Sequence, residues 1–240
     1  MANAVIVSGG PTHDFPATSA CLADLLAAHG LTAEIHTDVE AAFAALPGAA
    51  LLVVNALRWT MTAPGTPDRY RQHAATDGVS PSPRARAAFA AHLAAGRGLL
   101  AVHTAVICFD DWPEWHQALG ARWLWGQSNH PPLGPDVHVR VTPAHPLTQD
   151  VPDFTITDEV YSDLDLHPAI TPLLSAISPT HPASAAHPAS ASRPAQPLLW
   201  GRRHAGGRVV YDALGHHPPS YQVPAHREIL TRAFRWTTTP

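Results

Sequence analysis

Six residues with metal-binding or acid–base side chains follow apolar or aromatic stretches of the sequence. They are His13, His103, His130, Asp158, Glu159 and His216. In an open α/β sheet, ligands bind at the carboxyl ends of the strands, so loops that follow buried strands face one crevice. Imidazole and carboxylate groups bind Zn²⁺ and similar divalent cations, and they also serve as general acids and bases. We therefore expect one site at this edge, with two kinds of chemistry open.

In the first kind, a divalent cation is held by three histidines and a carboxylate, with an open position for substrate. The predicted ligands are His103, His130, His216 and a carboxylate from Glu159 or Asp158. In the second kind no metal takes part, and His13 or His103 moves a proton next to a carbonyl while Glu159 assists. Both kinds suit reactions that begin with the removal of a proton next to a carbonyl group.

A sharp connection follows the apolar run Gly98–His103, where hydrolase-like and amidotransferase-like folds carry a nucleophile elbow. The spacing predicts Thr104 at the tip of this elbow, with His103 just before it. Neither GxCxG nor GxSxG is present, and Cys108 comes four residues after Thr104. A Cys-dependent glutamine amidotransferase is therefore not supported, and we expect Cys108 to be a small buried residue.

The elements that must position these side chains alternate between apolar strands and amphipathic helices in the first half of the chain. The predicted strands are Ala4–Ser8, Leu31–His36, Ala50–Asn55 and Gly98–His103. The predicted helices are Pro16–His29, Val39–Leu46, Pro83–Ala95 (with Ser82 as its N-cap) and Trp112–Gly120. This alternation predicts a doubly wound α/β fold with a mostly parallel sheet flanked by helices.

The second half of the chain predicts shorter and more exposed strands. They are Asp136–Thr142, Phe154–Thr157, Thr171–Leu174 and a hairpin-like pair, Pro197–Trp200 with Gly207–Tyr211, before a terminal helix, Val223–Trp236. Two segments fit no element. Arg58–Ser80 is predicted to be a long irregular loop with a functional role, and Ser178–Pro194 a low-complexity surface insertion.

The amino-acid composition and the first loop argue against several kinds of site, cofactor and partner. The 240 residues are expected to form a single domain, 1–240. All fifteen basic residues are Arg, which excludes a catalytic, Schiff-base or P-loop Lys, and a net charge of −4 argues against nucleic acid as a partner. The first loop is not GxGxxG, so no nucleotide cofactor is expected. The chain begins without a signal-like segment and has no apolar run of membrane-spanning length, so we expect a cytoplasmic protein with no membrane partner.

Several motifs, taken in order, resemble those of the ThuA-like (trehalose utilisation) family. They are GGPTHDF after the first strand, GRGLLAVHTA, LGARW, SNHP, AHPLTQDVPDFTITDEVY, PLLW, GGRVVYDALGH and the final FRW. The resemblance runs from about residue 3 to 236, and the order and spacing of the motifs make it more specific than any one of them.

The resemblance implies the fold of class I glutamine amidotransferases, a flavodoxin-like three-layer sandwich, without the amidotransferase cysteine. It also implies a role in the catabolism of trehalose and related disaccharides, on oxidised (3-keto) sugars and alongside a partner sugar dehydrogenase. The recurring polar positions of the family carry over to His13, His103, His130, Asp158, Glu159, Tyr161 and His216.

Two function classes therefore stand side by side. The first is an enzyme of carbohydrate catabolism that acts on a small-molecule sugar, by isomerisation or epimerisation of a keto-sugar or by hydrolysis or elimination at its glycosidic bond. Its chemistry would use either Zn²⁺ or a similar divalent metal, or metal-free acid–base groups. The second is a non-catalytic small-molecule-binding or regulatory module on the same scaffold. Four tryptophans are candidates for the surface on which sugar rings stack, namely Trp112, Trp115, Trp123 and Trp125. Apolar edges and the Trp content hint at a homodimer.

Overall fold

A nine-stranded mixed sheet forms the centre of the computed structural model, which describes residues 2–134, 136–178 and 194–239. Nine strands form this sheet and two more form a separate pair in the part of the chain that the structure describes. In chain order the strands are β1 (Ala2–Gly9), β2 (Leu31–His36), β3 (Ala49–Ala56), β4 (Gly98–Val102), β5 (Ala121–Arg122), β6 (Val137–Val141), β7 (Phe154–Ile156), β8 (Asp165–Leu166), β9 (Leu174–Ile177), β10 (Ala195–His204) and β11 (Gly207–Asp212). Their order in the sheet is β2-β1-β3-β4-β11-β10-β9-β6-β7, and β5 pairs with β8 separately.

The sheet changes direction at β11. The pairs from β2 to β11 are parallel, whereas the pairs from β11 through β10, β9 and β6 to β7 are antiparallel. The parallel strands β3 and β4 are buried almost throughout, as expected for strands covered on both faces. The carboxyl ends of β1, β3, β4 and β11 consequently lie along one edge.

The helices cover the two faces of the sheet. They are α1 (Phe15–Ala28), α2 (Val39–Ala44), α3 (Asp68–Arg71), α4 (Ala74–Asp77), α5 (Pro83–Ala94), α6 (Pro113–Leu119) and α7 (Pro224–Thr238). Helix α1 packs with α7, and α2 packs with α5, while both pairs contact the parallel strands. This arrangement confirms the α/β fold with helices flanking the sheet that the alternating pattern predicted.

Local chemistry accounts for the ends of the main helices. The Asp14 carboxylate caps α1 by accepting from Ala17 N at 3.1 Å, and the Ser82 hydroxyl caps α5 by accepting from Ala85 N at 3.2 Å. The cap at Ser82 was predicted. The α1 cap places His13 immediately before a fixed helix terminus.

Several boundaries differ from the prediction. The third of the short strands begins at Leu174 rather than Thr171, because Pro172 lacks an N–H for the sheet. Strand β10 continues to His204, since the hairpin turns at Ala205 and Gly206, which both have positive φ. Segment 58–80 contains the short helices α3 and α4 and is therefore less irregular than expected.

Two further observations bear on the predicted organisation. Apart from its two ends, the low-complexity insertion predicted at Ser178–Pro194 lies outside the described residues. Within the described ranges, no helix combines the length and apolar character needed to cross a bilayer.

Candidate functional site

Four ligand-type side chains from separate segments meet at the carboxyl edge of the sheet. His13 comes from the loop after β1, His103 directly follows β4, Glu159 lies beyond β7, and His216 lies beyond β11. One nitrogen or oxygen atom from each of them lies within 4.8 Å of the others. We call these four residues the histidine–glutamate cluster. It is a group that could hold a metal ion.

Three atoms of the cluster form a nearly equilateral triangle. Glu159 Oε2 lies 3.4 Å from His103 Nε2 and 3.3 Å from His216 Nδ1. The two imidazole nitrogens are 3.2 Å apart. A tetrahedral Zn²⁺ site with bonds of about 2.0–2.1 Å has ligand atoms about 3.3–3.4 Å apart. The triangle therefore has the size of one face of such a site.

Hydrogen bonds orient two of the imidazoles for this role. His103 Nδ1 donates to the carbonyl oxygen of Ala213 at 2.7 Å, so the neutral ring presents its lone pair at Nε2. His13 Nδ1 lies 3.1 Å from the Thr12 hydroxyl and 3.5 Å from Pro11 O. His13 Nε2 is buried and has no hydrogen-bond partner among the described residues. Each of these two rings therefore directs the lone pair of its Nε2 atom toward the centre of the cluster.

Glu159 uses its two oxygens differently. Oε1 lies 3.2 Å from His130 Nδ1, whereas Oε2 is buried without a hydrogen-bond partner in the described part of the chain. His130 Nδ1 also lies 2.9 Å from Pro131 O. The structure therefore places His130 against the back of the carboxylate, and His13 takes the fourth position beside the triangle. The predicted set had His130 there instead.

The charges of the cluster are strongly coupled. Burial would raise the pKa of Glu159, but the facing His103, His130 and His216 hold it well below its usual range. Burial, together with His103 and His216, lowers the pKa of His13 to about 4. Burial also works against a charge on His103, yet Glu159 and Asp158 raise the pKa of this residue. His103 therefore takes up a proton more readily than His13 does.

Tyr161 closes the cluster from the interior. Its hydroxyl lies 3.1 Å from His103 Nε2, and its ring centroid is 4.7 Å from the His103 ring. Burial and the Glu159 carboxylate raise the pKa of Tyr161 well above its usual value. The phenol therefore keeps its proton and can donate a hydrogen bond.

Asp158 lies beside the cluster but turns away from it. Its oxygens accept from the backbone N–H groups of Glu159 at 2.8 Å, Gly215 at 2.8 Å and His216 at 3.3 Å, and from the Ser220 hydroxyl at 2.6 Å. Asp158 was predicted to be catalytic, whereas both of its oxygens bind the chain itself.

The strained residue after β4 is His103 and not Thr104. His103 has φ of +51°, a left-handed conformation that is costly for a side chain with a Cβ. The predicted tip residue, Thr104, is buried and donates its hydroxyl to Ala56 O at 2.7 Å. The elbow therefore presents an imidazole to the cluster, and the hydroxyl holds the end of β3.

Cys108 is buried away from the cluster, as expected. Its Sγ donates to Ala56 O at 3.1 Å and accepts from Arg58 N at 3.2 Å. Burial raises the pKa of the thiol to about 12, so the reactive thiolate is disfavoured.

The four candidate tryptophans divide into two pairs. Trp112 and Trp115 are 2% and 0% exposed and belong to the core, so they are unable to stack on a substrate. Trp123 and Trp125 are half-buried. Trp123 lies 6.0 Å from the His130 ring and 5.3 Å from the Tyr161 ring, measured between centroids.

The aromatic surface continues beyond this pair. The Trp125 ring lies 5.8 Å from Trp123 and 5.9 Å from Tyr70, which comes from segment 58–80. We call Trp123, Trp125 and Tyr70 the aromatic row. It begins on the open side of the cluster, where the side chain of His130 is 39% exposed and that of His216 is 18% exposed. Tyr70 had no recognisable signal in the sequence, because it lies in a segment without periodicity.

Sequence reasoning also missed a buried polar group behind the cluster. His226 of α7 pairs with Asp212 at the end of β11, at 2.8 Å between Nε2 and Oδ2, and both side chains are fully buried. Ser220 connects this pair to Asp158. The only hint in the sequence is an acid at the end of an apolar strand, since nothing in the pattern of α7 singles out His226.

The comparisons with known proteins agree with this architecture. The family model described as ThuA, trehalose utilisation, matches residues 3–237. A protein described as ThuA-like from Parabacteroides merdae superposes with a TM-score of 0.74 at 15% identity, over 99% of this chain and 90% of that one. A second such protein, from Bacteroides uniformis, gives 0.67 at 19% identity, over 98% and 91%.

A cytoplasmic protein of Salmonella typhimurium LT2 has the same fold, with a TM-score of 0.62 at 13% identity over 99% of both chains. At these identities the likeness concerns the fold alone. No curated protein sequence matches the chain.

Proposed function

The chain belongs to the ThuA (trehalose utilisation) family, and from this premise we propose that it is an enzyme of carbohydrate catabolism that acts on a keto-sugar at the histidine–glutamate cluster. We propose further that the cluster holds a divalent cation, Zn²⁺ or a similar ion. A sugar dehydrogenase would supply the keto group. A cytoplasmic location and a homodimeric state remain predictions from the sequence.

The observation that carries the cation site is the triangle of Glu159 Oε2, His103 Nε2 and His216 Nδ1. Its carboxylate oxygen is buried and accepts no hydrogen bond from the residues that the structure describes. An orphaned buried acceptor is costly, and a bound cation would satisfy it. A cation bound there would polarise a carbonyl oxygen or lower the pKa of a water molecule.

The residues around the cluster are suited to proton transfer. His130 has its Nδ1 on the Glu159 carboxylate, and its ring is open to solvent beside Trp123. A carboxylate-oriented imidazole in this position serves as a general base or acid next to a carbonyl. The neutral phenol of Tyr161 can donate a hydrogen bond from the interior side and orient His103. His130 and the carboxylate that orients it would also support proton transfer without a cation.

The aromatic row favours a sugar as the substrate. Flat, half-exposed rings offer apolar faces to the C–H face of a pyranose, and the indole ring of Trp123 lies next to the acid–base group His130. A ring stacked on Trp123 would therefore have its carbons within reach of both His130 and the cluster.

The first test is the metal content of tag-free protein purified without chelators. Elemental analysis by mass spectrometry would compare the wild type with His103→Ala and Glu159→Gln, and with His138→Ala as a control on an exposed histidine of β6. We expect close to one equivalent of metal in the wild type and the control, and little in the two cluster variants. No metal in any of the four, even after incubation with Zn²⁺, would refute the cation site.

The second test separates an enzyme from a binding module. Disaccharides and their 3-keto forms would be incubated with the wild type and with Glu159→Gln, and product formation followed by mass spectrometry. Conversion of a keto form by the wild type alone supports the proposal. Saturable binding without conversion, by protein with its full metal content, would favour the binding or regulatory role.

A further inference from the structure

A second polar group is buried beneath the histidine–glutamate cluster. It consists of Asp158, Asp212, Ser220 and His226, which are 2%, 0%, 0% and 0% exposed. We call these four residues the support network. None of them belongs to the group of side chains that could hold a metal ion.

We propose that Asp158 is a positioning residue, and that the support network sets the distance between Glu159 and His216 that cation binding requires. This inference rests on the proposed cation site. It assigns Asp158 a role that differs from acid–base catalysis and from metal ligation.

Backbone N–H groups from two different loops surround the carboxylate of Asp158. Oδ1 accepts from the backbone N–H groups of Glu159 and His216, at 2.8 and 3.3 Å. A single oxygen therefore ties together the main chains of two cluster residues that come from different loops. Because both N–H groups converge on this atom, a shift of one loop relative to the other breaks at least one of the bonds.

The second oxygen of Asp158 holds the rest of the His216 loop. Oδ2 accepts from Gly215 N at 2.8 Å and from the Ser220 hydroxyl at 2.6 Å. Gly215 has φ of +108°, and the hydroxyl of Tyr221 donates to its carbonyl oxygen at 3.1 Å. The turn that aims His216 is thus fixed from both sides.

The buried ion pair anchors this loop to the sheet and to α7. His226 Nδ1 lies 2.8 Å from Ser220 O, and Nε2 lies 2.8 Å from Asp212 Oδ2. Both ring nitrogens face oxygen acceptors, so the ring is an imidazolium that compensates the buried carboxylate. The other oxygen of Asp212 accepts from Leu214 N at 3.0 Å.

His103, the remaining residue of the triangle, is bound to the segment that directly follows β11. His103 donates from Nδ1 to Ala213 O, one residue beyond Asp212. Displacement of this segment would therefore reach His103 and His216 together. Residues of this kind around metal sites change metal affinity by about 10- to 100-fold when they are removed.

The test uses Co²⁺ as the probe, because tetrahedral Co²⁺ absorbs strongly in the visible range and reports geometry as well as affinity. The variants are Asp158→Asn, which places an amide N–H₂ against backbone donors, and Ser220→Ala, which keeps the carboxylate. Ser19→Ala is the matched control, since Ser19 is also fully buried and hydrogen-bonded but contacts no cluster residue. Thermal unfolding of each variant confirms that it is folded.

We expect the dissociation constant of Co²⁺ to rise about tenfold in Ser220→Ala and about 100-fold or more in Asp158→Asn, with weakened visible bands. Ser19→Ala should stay within about twofold of the wild type. If Asp158→Asn does not fold, Ser220→Ala decides the matter. Wild-type affinity and spectrum in Ser220→Ala would overturn the inference and leave the cation site intact.

A wild type that binds no Co²⁺ would refute the cation site itself, and the positioning role would then be read by NMR. Ring nitrogen shifts of His103 and His216 should change in Ser220→Ala and stay constant in Ser19→Ala. Identical shifts in both variants would overturn the positioning role independently.

Discussion

Glu159 contacts three imidazoles, and the role of each follows from the oxygen that it faces. Oε2 faces His103 and His216, whereas Oε1 faces His130. The sequence predicted all of these residues, because each follows a recognisable strand or motif. It was unable to say which imidazole lies on which oxygen, since side-chain direction depends on loop conformations that no periodicity encodes.

The different position of His130 leads to a prediction. His130→Ala should weaken cation binding by about 10- to 100-fold, because the carboxylate loses its orienting partner. His103→Ala should abolish binding, because it removes one corner of the triangle. Competition with a chelator of known affinity measures both. Equal losses in the two variants would mean that His130 is itself a ligand.

Cys108 provides a second residue-level prediction. A thiol reagent should modify the half-buried Cys21 in the native protein and Cys108 only after unfolding, because Cys108 is fully buried and its pKa is raised to about 12. Mass spectrometry of the labelled peptides distinguishes the two sites. Rapid labelling of Cys108 that glutamine blocks would instead revive an amidotransferase.

At the scale of elements, the sequence predicted the parallel core well and the antiparallel half less well. Strands β3 and β4 are nearly continuous apolar runs, which leave little choice of element. Strands β5 and β8 have two residues each and give no periodic signal, so they were missed. The ion pair between Asp212 and His226 joins a strand to a distant helix, a contact that a single sequence leaves unmarked.

The loop between β1 and α1, which carries His13, packs tightly against the chain at Leu57. A Cβ at Gly10, where φ is +136°, would lie 2.3 Å from Leu57 O. Gly10→Ala should therefore lower the free energy of unfolding by about 3 kcal/mol or more. Gly30→Ala is the matched control, with φ of +76° and no atom within 4 Å, and should cost about 1 kcal/mol. Urea denaturation measures both, and equal costs would show that the loop relaxes freely.

Truncation of the half-buried Trp123 should affect substrate binding, whereas truncation of the buried Trp112 should affect stability. Trp123→Ala should raise KM for the sugar about tenfold with little loss of stability, because its ring borders the open side of the cluster. Trp112→Ala should lower the free energy of unfolding by about 3–5 kcal/mol, since its ring is buried against Phe89 and Trp115. Steady-state kinetics and denaturation separate the two effects. An unchanged KM in Trp123→Ala would remove the aromatic row from the substrate site.

At the scale of the whole molecule, buried histidines make stability depend on pH in two directions. Burial lowers the pKa of both His13 and His116 to about 4. Between pH 6.5 and 4 the unfolded chain therefore binds protons that the folded chain does not, and stability falls as the pH falls. His103 and His226 have raised pKa values, so their protonation stabilises the folded protein fully below pH 6.5. This stabilisation is lost as the pH rises above 6.5.

We accordingly expect the metal-free protein to be most stable near pH 6–7. Below this range each of the two histidines should contribute a slope of about 1 kcal/mol per pH unit. His116 lies outside the cluster, so His116→Gln should remove its own share, about 1 kcal/mol per pH unit, from the acid-side slope. Denaturation curves at several pH values provide the measurement, and an unchanged slope in His116→Gln would contradict the assignment.

The triangle unites residues far apart in the chain, with His103 and His216 separated by 113 positions. No contiguous fragment that lacks either strand end, β4 or β11, contains the complete binding group. An ion held by this cluster would therefore be bound only after long-range strand pairing is complete, and it would be unable to template the early stages of folding. The rate of ion binding after dilution from denaturant would then equal the rate of the slowest tertiary folding step. Ion binding would therefore report when the native strand pairing has formed.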